Sequence, residues 1–364
     1  MVEFAFTQDQ QAIADAARSV LLANCTPASL RKQLERKEAR VEQRWAAIRD
    51  IGALGLLAPE QVGGLGMGMP DFISLAEAAG YVALPEPMVE LAGVVVPLLA
   101  ELPDDRGLLK RALNGEVVAV GHPANRYVSD ADTSVALILA DGDGLHLVNI
   151  DAVGLTRVQS VDPFRRLFRV DWTPTAGTRV PAARWGQSAD RGALLAAAQL
   201  IGLGQRLIDL AVEYAKGRKQ FGKPIGSYQA VKHQLASAQV KVEFARPVVY
   251  AAAAELHCDT RASRARIAHA KIAAGDAAEL AARTSLQVHG AMGMTWEADV
   301  HFFLKRALAL KSAWGGPQPH GKTVAERIFT LPVGPEFTFA SEISVAPLAD
   351  GIEVAIEGAR KLPS

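Results

Sequence analysis

Apolar residues in this chain recur every three or four positions, then every two, then every three or four again, and that double change of period restricts the folds open to it. In the last part, Leu200, Leu203, Leu207, Leu210, Ala211 and Tyr214 predict a helix that buries one broad face. Tyr228 to about Leu256, rich in Ala and Val, predicts a second helix. Pro247 within it is expected to kink or interrupt it, because proline has no N–H to donate. Residues 262–288 predict a third helix and Asp299 to Trp314 a fourth, together a four-helix bundle.

The first part is also helical. Thr7 followed by Gln10 has the spacing of a capping box, and Ile13, Ala17, Val20 and Leu21 share one face. Trp45, Ile48, Ile51 and Leu54 form a second amphipathic stretch. It ends in Pro59-Glu60-Gln61-Val62-Gly63-Gly64-Leu65-Gly66-Met67-Gly68, an irregular loop whose spacing is not that of a dinucleotide turn. A third helix is expected from Asp71 to about Val82, stopping before Pro85 and Pro87. Between the helical parts, Val117–Val120, Ser134–Ala140, Leu145–Ile150 and Leu167–Val170 read as short strands. Asp141-Gly142-Asp143-Gly144 supplies a hairpin turn. The expected division is a helical domain over 1–113, a small β domain over 114–184, a helical bundle over 185–330 and an irregular extension over 331–364.

Bulk properties narrow the partners. Lys+Arg and Asp+Glu are both 39, so nothing in the charge favours nucleic acid or a membrane surface, and a neutral surface favours association with protein. No signal peptide and no run of about 18 apolar residues is read. The cysteines Cys25 and Cys258 make no disulfide framework, and both are expected as small buried or half-buried side chains in a reducing cytoplasm. His257 beside Cys258 is not read as a nucleophile pair, because neighbours on a helix diverge. His233, His257, His269, His289, His301 and His320 lack the company of a metal site.

Two motifs carry more than period. One is Arg218-Lys219-Gln220-Phe221-Gly222-Lys223-Pro224-Ile225 with Tyr228-Gln229. The other is Gln287-Val288-His289-Gly290-Ala291-Met292-Gly293 with Thr295 and Glu297. With Phe6-Thr7-Gln8-Asp9-Gln10, Ala17-Arg18, and the block from Trp45 to Gly68 followed by Glu77 and Gly80, the chain resembles the acyl-CoA dehydrogenase family over about residues 4–329. The resemblance implies an α+β fold: N-terminal helical domain, shortened middle β domain and C-terminal four-helix bundle. It also implies flavin adenine dinucleotide (FAD) shared across a subunit interface. Arg218 would pair with the pyrophosphate, since a guanidinium fork suits phosphate oxygens. Gln220, Phe221 and Gln229 would reach the flavin side of the interface. The turn Gln287, Val288, His289, Gly290 and Ala291 would let backbone approach the adenosine and ribityl part, although Ala291 stands where the family has a second glycine. At a helix end, Gly290 also reads simply as a C-cap, and Arg218 as a cation at the helix dipole.

The family reaction takes an α proton with a glutamate and a β hydride with the flavin. Its glutamate occupies one of two positions, which here fall on Gly192 and Trp314. Neither accepts a proton, so no catalytic residue is assigned. Asp190 is the nearest carboxylate, and Glu297 matches a family position that is not the base. The flavin-ring loop of the family is also missing, Gly121-His122-Pro123-Ala124-Asn125 being its nearest remnant. The pattern resembles the non-catalytic subunits of bacterial heteromeric steroid-type acyl-CoA dehydrogenases. It implies a homologous catalytic partner in an α₂β₂ enzyme, a bulky or steroid CoA thioester as substrate and an electron-transfer flavoprotein as acceptor. Two other readings stay open: a self-sufficient dehydrogenase or oxidase-like homodimer, and a CoA-thioester binding or scaffold protein without flavin.

Overall fold

The computed structural model describes residues 7–330 apart from 143, 182 and 184, so the expectation for the 331–364 extension lies outside the described residues. The first helices are α1 (Gln8–Asn24), α2 (Pro27–Glu35) and α3 (Glu42–Asp50). The capping box forms as read: the Gln10 N–H donates to Thr7 Oγ1 at 3.2 Å, and the Thr7 N–H to Gln10 Oε1 at 3.0 Å. The stretch from Trp45 to Leu54 is not one helix. It breaks at Gly52, where φ is 72°, and resumes as a 3₁₀ turn over Ala53–Gly55. After α4 (Met69–Tyr81), α5 (Met88–Glu90) runs through a π turn at Leu91–Val95 into α6 (Val96–Glu101), and α7 (Leu108–Leu113) follows. These helices are tied by a buried ion pair. The Arg44 guanidinium donates to both Glu86 oxygens, at 2.7 and 2.9 Å, and the Val41 N–H donates to the same carboxylate at 3.1 Å.

The β part is two three-stranded sheets. One has β1 (Val117–Gly121) parallel to β3 (Ser134–Asp141), which pairs antiparallel with β4 (Gly144–Asn149). The expected hairpin is therefore present, with Asp141 opposite Gly144. The other has order β2 (Val128–Ser129), β6 (Leu167–Asp171), β5 (Gly154–Val158). Strands β2 and β5 were not foreseen: β2 has two residues, and β5 is largely unburied, so neither shows an apolar alternation. On β3, Ala136 and Ile138 join the main core while Leu137 and Leu139 pack against Val128 and Phe168 of the second sheet. That period of two places the first sheet between the helices and the second sheet.

The bundle consists of α8 (Ser188–Gly217), α9 (Gln229–Glu255), α10 (Arg261–His289) and α11 (Val300–Ser312), with α12 (Pro317–Thr330) packed on α10. The short strands β7 (Lys219–Gln220) and β8 (Lys223–Pro224) join α8 to α9. Pro247 does not interrupt α9. Pro247 and Glu243 are both exposed, so water can serve the carbonyl left without a donor, while Ala245 and Val249 keep the helix on the core. By length and composition α8 is apolar enough to cross a membrane, yet 67% of its apolar stretch is buried inside the protein. It crosses α4 at backbone contact distance. A Cβ on Gly202 would stand 2.0 Å from the Glu77 carbonyl oxygen, and one on Gly80 would stand 2.1 Å from that of Gln199. Only glycine admits this mutual approach, which sets α8 against the N-terminal helices.

Candidate functional site

The two motifs meet at one end of the bundle. Arg218 is the C-cap of α8, Gln229 opens α9, and Gln287 lies in the last turn of α10. A small apolar cluster holds these ends together: Ala211 and Ala215 of α8, Val288 of α10, and Ile225, Val231 and Leu235. The β7–β8 connection is a two-residue hairpin, with φ of 52° at Phe221 and 80° at Gly222. A type I′ turn demands positive φ at both places, and a phenylalanine there is strained. The hairpin is pinned by Tyr228, whose hydroxyl donates to the Gln220 carbonyl at 3.3 Å and whose ring carries Lys223 Nζ at 4.3 Å. Phe221 itself is 92% exposed.

Of the residues assigned to flavin contact, Arg218, Gln220, Phe221, Gln229, Gln287, Gly290 and Ala291 are exposed at this end. Val288 and His289 are not: both side chains are buried. The His289 ring stacks on Tyr214 with centroids 4.4 Å apart, and its Nδ1 donates to the Ser285 carbonyl at 2.8 Å. Burial lowers the pKa of His289, which keeps the ring neutral. These two side chains brace the turn rather than face a ligand. Gly290 has φ 59° and ψ −138°, so the C-cap reading holds and the position requires glycine.

The second region lies around Gly192 and Trp314. Gly192 falls inside α8, not before it. The two positions, 122 residues apart in sequence, are in contact: a Cβ on Gly192 would come within 2.1 Å of Trp314 Cδ2. Trp314 has φ 55° and is gripped on both sides. Its N–H donates to Asn125 Oδ1 at 2.7 Å, and its carbonyl accepts from His320 Nε2 at 3.0 Å. His122 lies 5.4 Å from the indole and packs edge-on against Trp185 at 4.7 Å. Burial drives the His122 pKa down to about 4, and its neutral Nδ1 accepts from the Ala124 N–H at 3.0 Å. The segment Gly121–Asn125 thus closes onto Trp314.

Gly192 and Trp314 line a cavity of 80 Å³ with Glu90, Asp130, Arg165 and Arg306. Sequence reasoning missed these four. Glu90 was detectable as a single acid within the apolar run Met88–Val96, whereas nothing local marks the others. Asp190 does not line the cavity; it faces Arg264 of α10 at 3.6 Å, and burial raises its pKa. Glu297 is exposed, and its carbonyl accepts from Arg31 Nη2 at 2.9 Å. Two cysteine expectations need correction. Cys258 is exposed at the end of a 3₁₀ turn over Leu256–Cys258, and its Sγ sits 3.6 Å from His257 Nε2, so the two side chains do not point apart as expected.

Residues 7–102 match the acyl-CoA dehydrogenase N-terminal domain and residues 184–329 the acyl-CoA dehydrogenase C-terminal domain. The acyl-CoA dehydrogenase IpdE2 of Mycobacterium tuberculosis is 31% identical over 301 residues, covering 82% of this chain and 91% of that protein. Among solved structures, the ChsE4-ChsE5 complex from M. tuberculosis superposes with a TM-score of 0.78 at 21% identity, covering 91% of this chain and 100% of that one. Butyryl-CoA dehydrogenase from Megasphaera elsdenii gives 0.78 at 18% identity, covering 90% and 100%. With both helical ends matched and a relative of this identity covered almost throughout, the chain belongs to the acyl-CoA dehydrogenase family, whose members are oxidoreductases acting on CH–CH bonds with FAD as cofactor.

Proposed function

We propose that this chain is the non-catalytic subunit of a heteromeric acyl-CoA dehydrogenase, completing the FAD site of a homologous catalytic partner and supplying no base of its own. The observation that carries the reading is the Trp314 indole seated on Gly192, the two residues on which the resemblance places the family's glutamate. The residues present fit half of a flavin site. At the exposed end, the Arg218 guanidinium would hold the pyrophosphate, Gln229 and Gln287 would offer amide groups, and Gly290 would admit close backbone approach. At the cavity end, Trp314, His122 and Trp185 interlock where a ring and an acyl chain would need space.

When bound, FAD would take the β hydrogen of an acyl thioester as hydride. The α proton would go to a carboxylate of the partner, since Gly192 and Trp314 have no acceptor. A bulky CoA thioester, of the steroid side-chain class, is the proposed substrate. Support comes from the superposing structures, which include the ChsE4-ChsE5 complex and a Tcur3481-Tcur3483 steroid ACAD variant. An α₂β₂ assembly, an electron-transfer flavoprotein as acceptor and a cytoplasmic location complete the reading.

The test is the visible spectrum of the chain purified alone and after co-expression with a homologous dehydrogenase subunit. A colourless chain that yields a yellow complex, with about one flavin per pair of chains, is expected. A yellow chain whose colour is bleached by an acyl-CoA in the absence of any partner refutes the reading.

A further inference from the structure

Four charged side chains from four separate elements converge on the 80 Å³ cavity: Glu90 of α5, Asp130 after β2, Arg165 before β6 and Arg306 of α11. Arg306 is only 7% exposed. Its Nε is bound to Asp162 and its Nη1 donates to the Leu84 carbonyl at 2.7 Å, which leaves Nη2 without a described partner. Arg165 uses Nη1 on the Ala309 carbonyl at 3.1 Å. Among the described residues, neither the Glu90 nor the Asp130 carboxyl receives a hydrogen bond. Arg306 is buried while Glu90, Asp130 and Arg165 are half-buried, so the cluster is only partly withdrawn from water and remains reachable by a proton, water or a small ligand. The remaining wall is apolar, with Leu195, Ala196 and Trp314.

We propose that the cavity binds a short alkyl carboxylate such as propionate, its carboxylate held by Arg165 and Arg306 and capped by Glu90 and Asp130, its alkyl end against Leu195 and Trp314. Guanidinium edges match carboxylate geometry, which favours an anion over a cation. Burial raises the Glu90 pKa to about 7 and that of Asp130 to about 8, so near pH 6 both donate protons toward the guest. The surrounding charges are largely neutralised in pairs: Arg44 with Glu86, Arg306 with Asp162, and Arg166 with Asp132. Lys271 of α10, whose pKa burial lowers to about 7, also acts on Arg165 through space, and its Nζ is held by the Leu310 and Lys311 carbonyls at 2.8 and 3.0 Å. As pH rises through this range the two carboxyls ionise and repel the anion, so binding weakens.

The test titrates propionate, and separately n-propylammonium, into the full chain near pH 6 and near pH 9 by calorimetry. Saturable propionate binding near pH 6 that weakens at least about tenfold near pH 9 is expected. Arg165→Met should lose at least about tenfold. Glu90→Gln, which keeps a neutral donor, should bind near pH 6 and show a smaller pH ratio. The proposal is overturned by absence of saturable propionate binding, by unchanged binding in Arg165→Met, or by preference for n-propylammonium. No flavin or acyl-CoA enters the assay, so its outcome is separate from that of the partner-subunit reading.

Discussion

The indole of Trp314 occupies the space that a side chain on Gly192 would need, with a built Cβ only 2.1 Å from Cδ2. The two residues come from opposite ends of the bundle sequence, and each is the size the other permits. Gly192→Ala should therefore destabilise the protein by about 1–3 kcal/mol through overpacking. In a Trp314→Ala background the same substitution should stabilise by up to about 1 kcal/mol, because alanine is the better helix former once the indole is gone. Denaturant unfolding of the four proteins measures the reversal, and equal effects in both backgrounds would remove the contact from the argument.

The Arg44–Glu86 pair is buried on both sides, with side chains 1% and 0% exposed. Glu86→Ala leaves a guanidinium without its counter-charge in the core. The expected loss is about 3–5 kcal/mol, read from the urea midpoint. A loss within the range of surface substitutions would show that Arg44 finds another partner.

His122 gives a pH dependence of definite sign. Its folded pKa of about 4 lies below the ordinary histidine value, so the native state favours the neutral ring. Its stabilising contribution is present above about pH 6.5 and is lost as pH falls toward 4, a span worth about 3 kcal/mol. His122→Phe should flatten that part of the stability curve relative to the parent, while the opposite trends of Glu90 and Asp130 remain in both. Parallel curves for parent and variant would contradict the assignment.

Thiol reactivity separates the two cysteines. Cys25 is 3% exposed and burial raises its pKa to about 12, whereas Cys258 is exposed. Alkylation of the native protein should label Cys258 alone, and denaturation should release Cys25. Rapid labelling of Cys25 in the native state would mean that α1 and the α4 end open readily.

At the exposed bundle end, Arg218→Ala and Phe221→Ala should each leave unfolding within about 0.5 kcal/mol of the parent, since neither side chain is buried. In the complex both should lower flavin retention, measured as flavin absorbance per chain after gel filtration. Full retention in both variants would separate this end from the cofactor.

The capping box at Thr7, the β3–β4 hairpin, and the helices around Leu200–Tyr214 and 262–288 were legible because each rests on local period or turn chemistry. The motifs around Arg218 and Gln287 stood out through the family resemblance rather than through period, and their residues lie on the last turns of α8 and α10 and in the hairpin after α8. Elements without such a signal were misread. Strand β5 has no buried stripe, α9 carries Pro247 intact because Pro247 and Glu243 are both exposed to water, and Cys258 sits on a 3₁₀ turn.

By itself, the sequence determined the order of helical and β parts, the helix termini that carry Arg218, Gln229 and Gly290, and the absence of an acceptor at Gly192 and Trp314. Backbone propensity, capping and side-chain identity act within a few residues, so they are written locally. Only the tertiary structure decided that Gly192 and Trp314 touch, that His122 and Asn125 close on that contact, and that Glu90, Asp130, Arg165 and Arg306 share one cavity. Those relations arise where α5, α8, α11 and the β part pack together, and packing between segments far apart in sequence leaves no periodic trace in any one of them.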